Sequence, residues 1–124
     1  MRWTILLPVL LFVPGLWAQA PAKTLNKLKV FYATNCVKCH GPDGSAQAAD
    51  GEKLGGFDFT DAKKAAEETD AEMVKTIRKG LFFGIRMPSF KDQLSEADAL
   101  LLVQGIVRKA EKGKVITPEE GAAR

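Results

Sequence analysis

The chain has 124 residues and a net charge of +3 at pH 7, from 18 Lys and Arg, 15 Asp and Glu and a single histidine. That length makes one domain with a limited apolar core of its own. The basic excess forms no Lys/Arg-rich block with interleaved aromatics, which argues against nucleic acid. Two cysteines with one histidine fall short of the four protein ligands of a structural zinc site.

Residues 1–20 stand apart. Met1-Arg2-Trp3 is a short cationic start, Ile5 to Trp17 is apolar but interrupted by Pro8 and Pro14, and Ala18-Gln19-Ala20 is a small-residue ending. The stretch is too short for a membrane-spanning helix. It reads as a secretory signal peptide, with a retained N-terminal anchor as the alternative. Cleavage after Ala20 fits the A-x-A pattern but leaves Pro21 directly behind the cut, so Ala18 is a rival site. No cysteine lies near the cut to carry a lipid. Removal takes away Trp3, Trp17 and Arg2, leaving 17 basic and 15 acidic residues. The remainder divides into a domain over residues 21–112 and a C-terminal tail over 113–124.

Leu25, Leu28 and Tyr32 recur at helical spacing, and the stripe continues onto Cys36, which predicts an amphipathic helix from Ala22 to Asn35. Its end delivers Cys36-Val37-Lys38-Cys39-His40, the C-x-x-C-H pattern of covalent c-type haem attachment. On one helical turn, positions i, i+3 and i+4 share a face. Both thiols then reach the vinyl groups along one haem edge while the imidazole reaches the iron. A thioredoxin-like pair needs a βαβ context that the flanking residues do not offer, and a structural disulfide leaves His40 without a role. Thioether attachment occurs on exported chains, so leader and motif support each other and point to the periplasm. A haem would supply much of the interior of so small a domain, and the chain without it is expected to fold poorly.

Gly41-Pro42-Asp43-Gly44 breaks the first helix. Residues 45–60 show no period, and Phe57 and Phe59 are expected as two aromatics folded onto a core. Thr60 or Asp61 caps a short helix through Ala66. Thr69-Asp70-Ala71-Glu72 matches a capping box, followed by a stripe of Met73, Ile77 and Val74 and a stop at Gly80. Leu81 to Phe90 is an apolar loop broken by Gly84 and Pro88, and a haem face is expected to cover it. Ser95, with Asp98 as a weaker box partner, caps a last helix predicted to run to about Lys112. Leu100, Leu101, Val103, Ile106, Val107 and Ala110 form its apolar side, and Gly105 marks a close helix–helix contact.

A six-coordinate iron needs a ligand opposite His40, and with no second histidine methionine is the natural soft donor. Met73 sits on a helix among residues better explained as core. Met87 is followed by Pro88, which biases it away from helical conformation and stiffens the loop presenting it. Met87 is therefore the expected ligand. The alternative is a gap-filling methionine with the iron left five-coordinate or bound by water.

An amphipathic helix, Cys36-Val37-Lys38-Cys39-His40-Gly41, a later Met87-Pro88-Ser89-Phe90 loop and a closing helix, in that order, resemble a class I cytochrome c over roughly residues 22–111. The resemblance implies an all-α fold of about four helices around one covalently attached haem c, with the first and last helices crossing beside it. It implies a carrier of single electrons between larger redox partners, not an enzyme, monomeric unless it is a dedicated subunit of a dehydrogenase or oxidase complex. A haem enzyme or gas sensor with an open sixth site would need distal acid–base groups, and no second histidine remains to act as one. Three departures stand out. Lys53-Leu54-Gly55-Gly56 contains no proline where the family often has a Gly-Pro-x-Leu segment whose proline carbonyl orients the axial histidine, so the partner of His40 is unassigned. Gly105-Ile106 replaces an aromatic on the last helix, with Phe31-Tyr32 as the compensating bulk. With the tryptophans gone, Lys53 and Arg86 are the candidates for the propionates. Lys38 and Lys91 are placed to steer an acidic partner, or are ordinary solvated lysines.

Overall fold

Thr24 starts the first helix: its hydroxyl accepts the Lys27 N–H at 3.2 Å, and α1 runs Leu25–Asn35. The helix begins three residues later than its apolar period suggests, at the extended Thr24 cap, and the preceding Lys23 N–H donates to the Asp98 carboxylate at 2.8 Å. The computed structural model describes residues 19–120, so the expected leader, its last two residues aside, lies outside the described residues. Leu28 and Tyr32 are wholly buried. After Cys36 a second short helix, α2, covers Val37–His40.

A long irregular segment follows. Asp61, accepting from the Lys63 and Lys64 amides, caps α3 over Ala62–Glu67. The reciprocal Thr69–Glu72 capping box opens α4, Asp70–Lys79, and Gly80 ends it. Ser95 and Asp98 form a second full capping box at the start of α5, Glu96–Gly105. Among the described residues there is no strand, only two isolated bridges, Gln47 with Lys53 and Leu81 with Met87. No helix among them is long and apolar enough to cross a membrane. The fold is all-α.

One core joins α1 (Leu28, Tyr32), α4 (Met73, Val74, Ile77), the connecting Phe90 and Leu94, and α5 with its continuation (Ala99, Leu102, Val103, Ile106, Val107). α5 packs on both α1 and α4. At the α1–α5 crossing a Cβ on Gly105 would lie 2.6 Å from Leu25 Cδ1, so the expected close contact is present. Phe31 meets Phe90 edge-on, with ring centroids 5.3 Å apart.

The last helix is shorter than the sequence suggests. It stops at Gly105, Ile106 leaves helical geometry (φ −123°, ψ −61°), and a single 3₁₀ turn covers Val107–Lys109. That turn aims Arg108 at the α3–α4 junction, where it donates to Asp70 and to the carbonyls of Ala65 and Glu68. The chain then doubles back. Gly113 N–H donates to Asp43, Ile116 N–H to the Pro42 carbonyl and Glu119 N–H to Asn26. Apolar period alone could not register this, since the hydrogen bonds that hold the segment after the helix reach about 40 and 70 residues back along the chain.

Candidate functional site

The three motif residues sit at the end of α1 and on α2 because the chain passes from one helix to the next with little break. Cys36 N–H donates to the Tyr32 carbonyl at 2.9 Å, and His40 N–H to the Cys36 carbonyl at 2.9 Å. Tyr32 holds the far end as well, its buried hydroxyl donating to the Gly41 carbonyl at 2.8 Å. Burial, with the Cys36 and Asp43 charges adding, pushes the Tyr32 phenol far above its ordinary value, so it stays a donor.

Burial and the neighbouring Cys39 push the Cys36 thiol up to about 12. Neither cysteine is in a disulfide. A thiol redox pair requires the opposite, a lowered pKa, so the surroundings of Cys36 do not suit that chemistry.

His40 Nδ1 lies 3.0 Å from the Phe57 carbonyl oxygen. A carbonyl only accepts, so Nδ1 carries the hydrogen and Nε2 is left with its lone pair. Burial lowers the imidazole pKa, partly opposed by this hydrogen bond, which keeps the ring a neutral potential ligand. The orienting carbonyl that the missing proline left unassigned thus belongs to Phe57. Phe59 stacks on the imidazole, with centroids 4.5 Å apart. The segment comes this close because of Gly56. Its N–H donates to the Cys39 carbonyl at 2.9 Å, and a Cβ there would lie 2.2 Å from that same oxygen. The Gly55-Gly56 pair was the sequence signal for this approach, legible only as a turn.

Met87 comes from the segment after α4. Leu81 N–H donates to the Met87 carbonyl at 2.9 Å, Ser89 Oγ to the Arg78 carbonyl at 2.6 Å and Phe90 N–H to the Ile77 carbonyl at 3.1 Å. Gly80 (φ +74°) permits this packing, since a Cβ there would lie 2.4 Å from the Met87 carbonyl oxygen. Methionine and motif share one cavity of about 430 Å³, within the range of cofactor clefts. Cys36, Cys39, His40, Met87 and Pro88 line it, with Leu54, Phe57, Phe59, Met73, Thr76, Ile77 and Leu81 adding mostly apolar surface. Met73 is a core residue that also reaches this wall. Of the two propionate candidates, Arg86 lines the cavity and Lys53 does not. Lys38 lines it too, whereas Lys91 is exposed outside it.

The apolar loop divides. Leu81, Met87 and Pro88 line the cavity, but Phe82, Phe83 and Ile85 do not and remain exposed. The two ends of the loop thus face the cavity where a haem is expected, and its tip does not. Phe82 and Phe83 take left-handed backbone (φ 50° and 55°), which costs bulky residues about 1–2 kcal/mol each.

Two thiols, a neutral imidazole with a free Nε2 and a thioether around one apolar cleft are a donor set that fits a covalently held haem. A small helical domain with this site defines the class of c-type cytochromes. The family model described as cytochrome c oxidase, cbb3-type, subunit III matches residues 23–104. Among solved structures, the "KustC0563 c-type cytochrome" is 33% identical, with 68% of this chain and 96% of that chain covered and a TM-score of 0.54. A point mutant of that protein gives 30% identity, 68% and 98% coverage and a TM-score of 0.53. No curated protein matches. The chain belongs to the c-type cytochromes, in the family of cbb3-type cytochrome c oxidase subunit III, and its role is electron transfer.

Proposed function

We propose that the exported chain, cut after Ala18 or Ala20, works in the periplasm as a monohaem carrier of single electrons. The residues that would hold the haem are Cys36 and Cys39, through thioethers, and His40 and Met87, through the imidazole Nε2 and the thioether sulfur. When bound, the haem supplies a reversible one-electron iron couple. The observation that carries this reading is the single cavity into which the motif and Met87 both open.

Each protein group has a distinct task. The Phe57 carbonyl orients His40 and raises its basicity as a ligand. The segment pinned to the end of α4 presents the Met87 sulfur. Phe57, Phe59, Ile77 and Leu81 supply apolar wall, and an apolar site with a thioether ligand would favour the reduced iron and raise the potential. Lys38 and Lys91 attract an acidic partner, an effect that weakens with salt.

A second reading, a dedicated electron-transfer subunit of an oxidase or dehydrogenase complex, is favoured by the description of the matching family. Co-purification of a stable complex from native membranes would select it over the free carrier. The central test is the absorption spectrum of the haem-loaded protein. Native protein and Met73→Ala should retain the ferric methionine–iron charge-transfer band, and Met87→Ala should lose it and gain rapid carbon monoxide binding. Loss of the band in Met73→Ala alone would overturn the ligand assignment. Rapid carbon monoxide binding by the native ferrous protein would instead indicate an open-site enzyme or sensor.

A further inference from the structure

The tip of the loop between α4 and Met87 is left unexplained by the haem site. Phe83 is fully exposed at 105%, Ile85 at 86% and Phe82 at 64%, and none of the three lines the cavity. They project from a tight turn, closed by Gly84 N–H donating to the Leu81 carbonyl and Ile85 N–H to the Phe82 carbonyl. The turn holds two phenylalanines in left-handed backbone, a conformation that persists only where the surrounding structure imposes it. Adjacent exposed apolar side chains of this size mark an interaction site.

The segment that carries the tip is basic, which favours an acidic partner, although Glu68 also lines the cavity beside it. From Met73 to Lys91 the chain carries Lys75, Arg78, Lys79, Arg86 and Lys91 and no acidic residue, although acidic residues outnumber basic ones in the rest of the chain. Arg86 lies over the Phe82 ring, 5.5 Å from its centroid, and so sets a cation directly beside the apolar tip. Position supplies the third argument. Leu81 and Arg86 flank the tip and both line the cavity, so a partner that covers the tip also lies against the cavity mouth.

Resting on the electron-carrier reading above, we propose that Phe82, Phe83 and Ile85 form a docking prong for a redox protein that offers an apolar pocket ringed by carboxylates. Docking brings that protein's oxidised redox centre to the cavity mouth, where it takes up the one electron that the ferrous chain gives up. The basic residues steer the encounter, and the buried aromatics set how long the complex lasts.

The test uses haem-loaded native protein, Phe83→Ser and the triple variant Phe82→Ser/Phe83→Ser/Ile85→Ser. Visible spectra and oxidation by hexacyanoferrate(III) come first. A chain without a redox-active haem fails there, which separates failure of the carrier reading from failure of the prong. The ferrous proteins are then mixed with the periplasmic and membrane fractions of the source cells as sole oxidants. The triple variant should be oxidised about tenfold more slowly than native protein by one of the fractions, with Phe83→Ser between them. The hexacyanoferrate rates should agree, and added salt should slow the native reaction. Equal rates for native and triple variant in both fractions, no oxidation of native protein by either, or an equal slowing with hexacyanoferrate would each overturn the proposal. So would unchanged fraction rates combined with prong-dependent sedimentation on phosphatidylglycerol vesicles, which would assign the tip to a lipid surface.

Discussion

One methyl group tests how His40 is held. In Gly56→Ala the new Cβ would lie 2.2 Å from the Cys39 carbonyl oxygen, 2.7 Å from its carbon and 3.0 Å from His40 Nδ1. Ordinary contact starts at 3.4 Å, so the two segments must part by about 1 Å, and a backbone carbonyl cannot rotate aside as a side chain does. That movement stretches the Gly56–Cys39 hydrogen bond, now 2.9 Å, beyond useful length. It also shifts Phe57, whose carbonyl orients the imidazole. Overpacking costs about 1–3 kcal/mol and the lost hydrogen bond adds about 1 kcal/mol. For a domain of this size a loss of about 3 kcal/mol lowers Tm by about 10–20 °C. Thermal unfolding of the haem-loaded variant, followed by circular dichroism and at the Soret band, should show that drop together with a shifted midpoint potential. A Tm within about 3 °C of native and an unmoved potential would refute the reasoning.

Gly105→Ala makes the opposite case. Its Cβ meets Leu25 Cδ1 at 2.6 Å, but that is the mobile end of a partly exposed side chain. Rotation of Leu25 and the gain in helix propensity offset each other, and chemical denaturation should show a change within about 1 kcal/mol. Asp98→Asn should cost about 2 kcal/mol at pH 7, because the carboxylate accepts from the Lys23 and Ser95 amides. Burial pushes the Asp98 pKa up, but the hydrogen bonds from Lys23 and Ser95 outweigh it and hold the group below its ordinary value. A depressed carboxylate stabilises the fold above its unfolded pKa, so urea titrations should show the native–variant gap closing as pH falls below 3.8. The haem-free Cys36→Ala/Cys39→Ala protein should show no cooperative thermal transition by calorimetry, since the cavity walls would have no apolar filling.

The starts of α3, α4 and α5 were legible because capping is a matter of residues three apart, whereas the start of α1 at Thr24 was not read from its apolar period. Thr69 with Glu72, Ser95 with Asp98 and Asp61 at the head of α3 all act within their own turn. The end of α5 was not legible, because the turn that follows it is held by Arg108 reaching Asp70 and the carbonyls of Ala65 and Glu68. The same distinction runs through the site. Cys36, Cys39 and His40 declare themselves by spacing on one helical turn, and Pro88 singles out Met87 by its effect on the adjacent residue. Phe57 acts through its backbone carbonyl, which every residue possesses, so no side-chain pattern could pick it out.

The sequence by itself determined the helical class and singled out the candidate haem-attachment residues and the candidate methionine, since each depends on chemistry within a few residues. Only the tertiary structure decided which carbonyl faces His40, that the motif and Met87 open into one cavity, and that the loop divides between cavity wall and exposed tip. These are facts about segments meeting across the fold. Their register is set by close backbone approaches at Gly56 and Gly80, where a side chain would have held the segments apart.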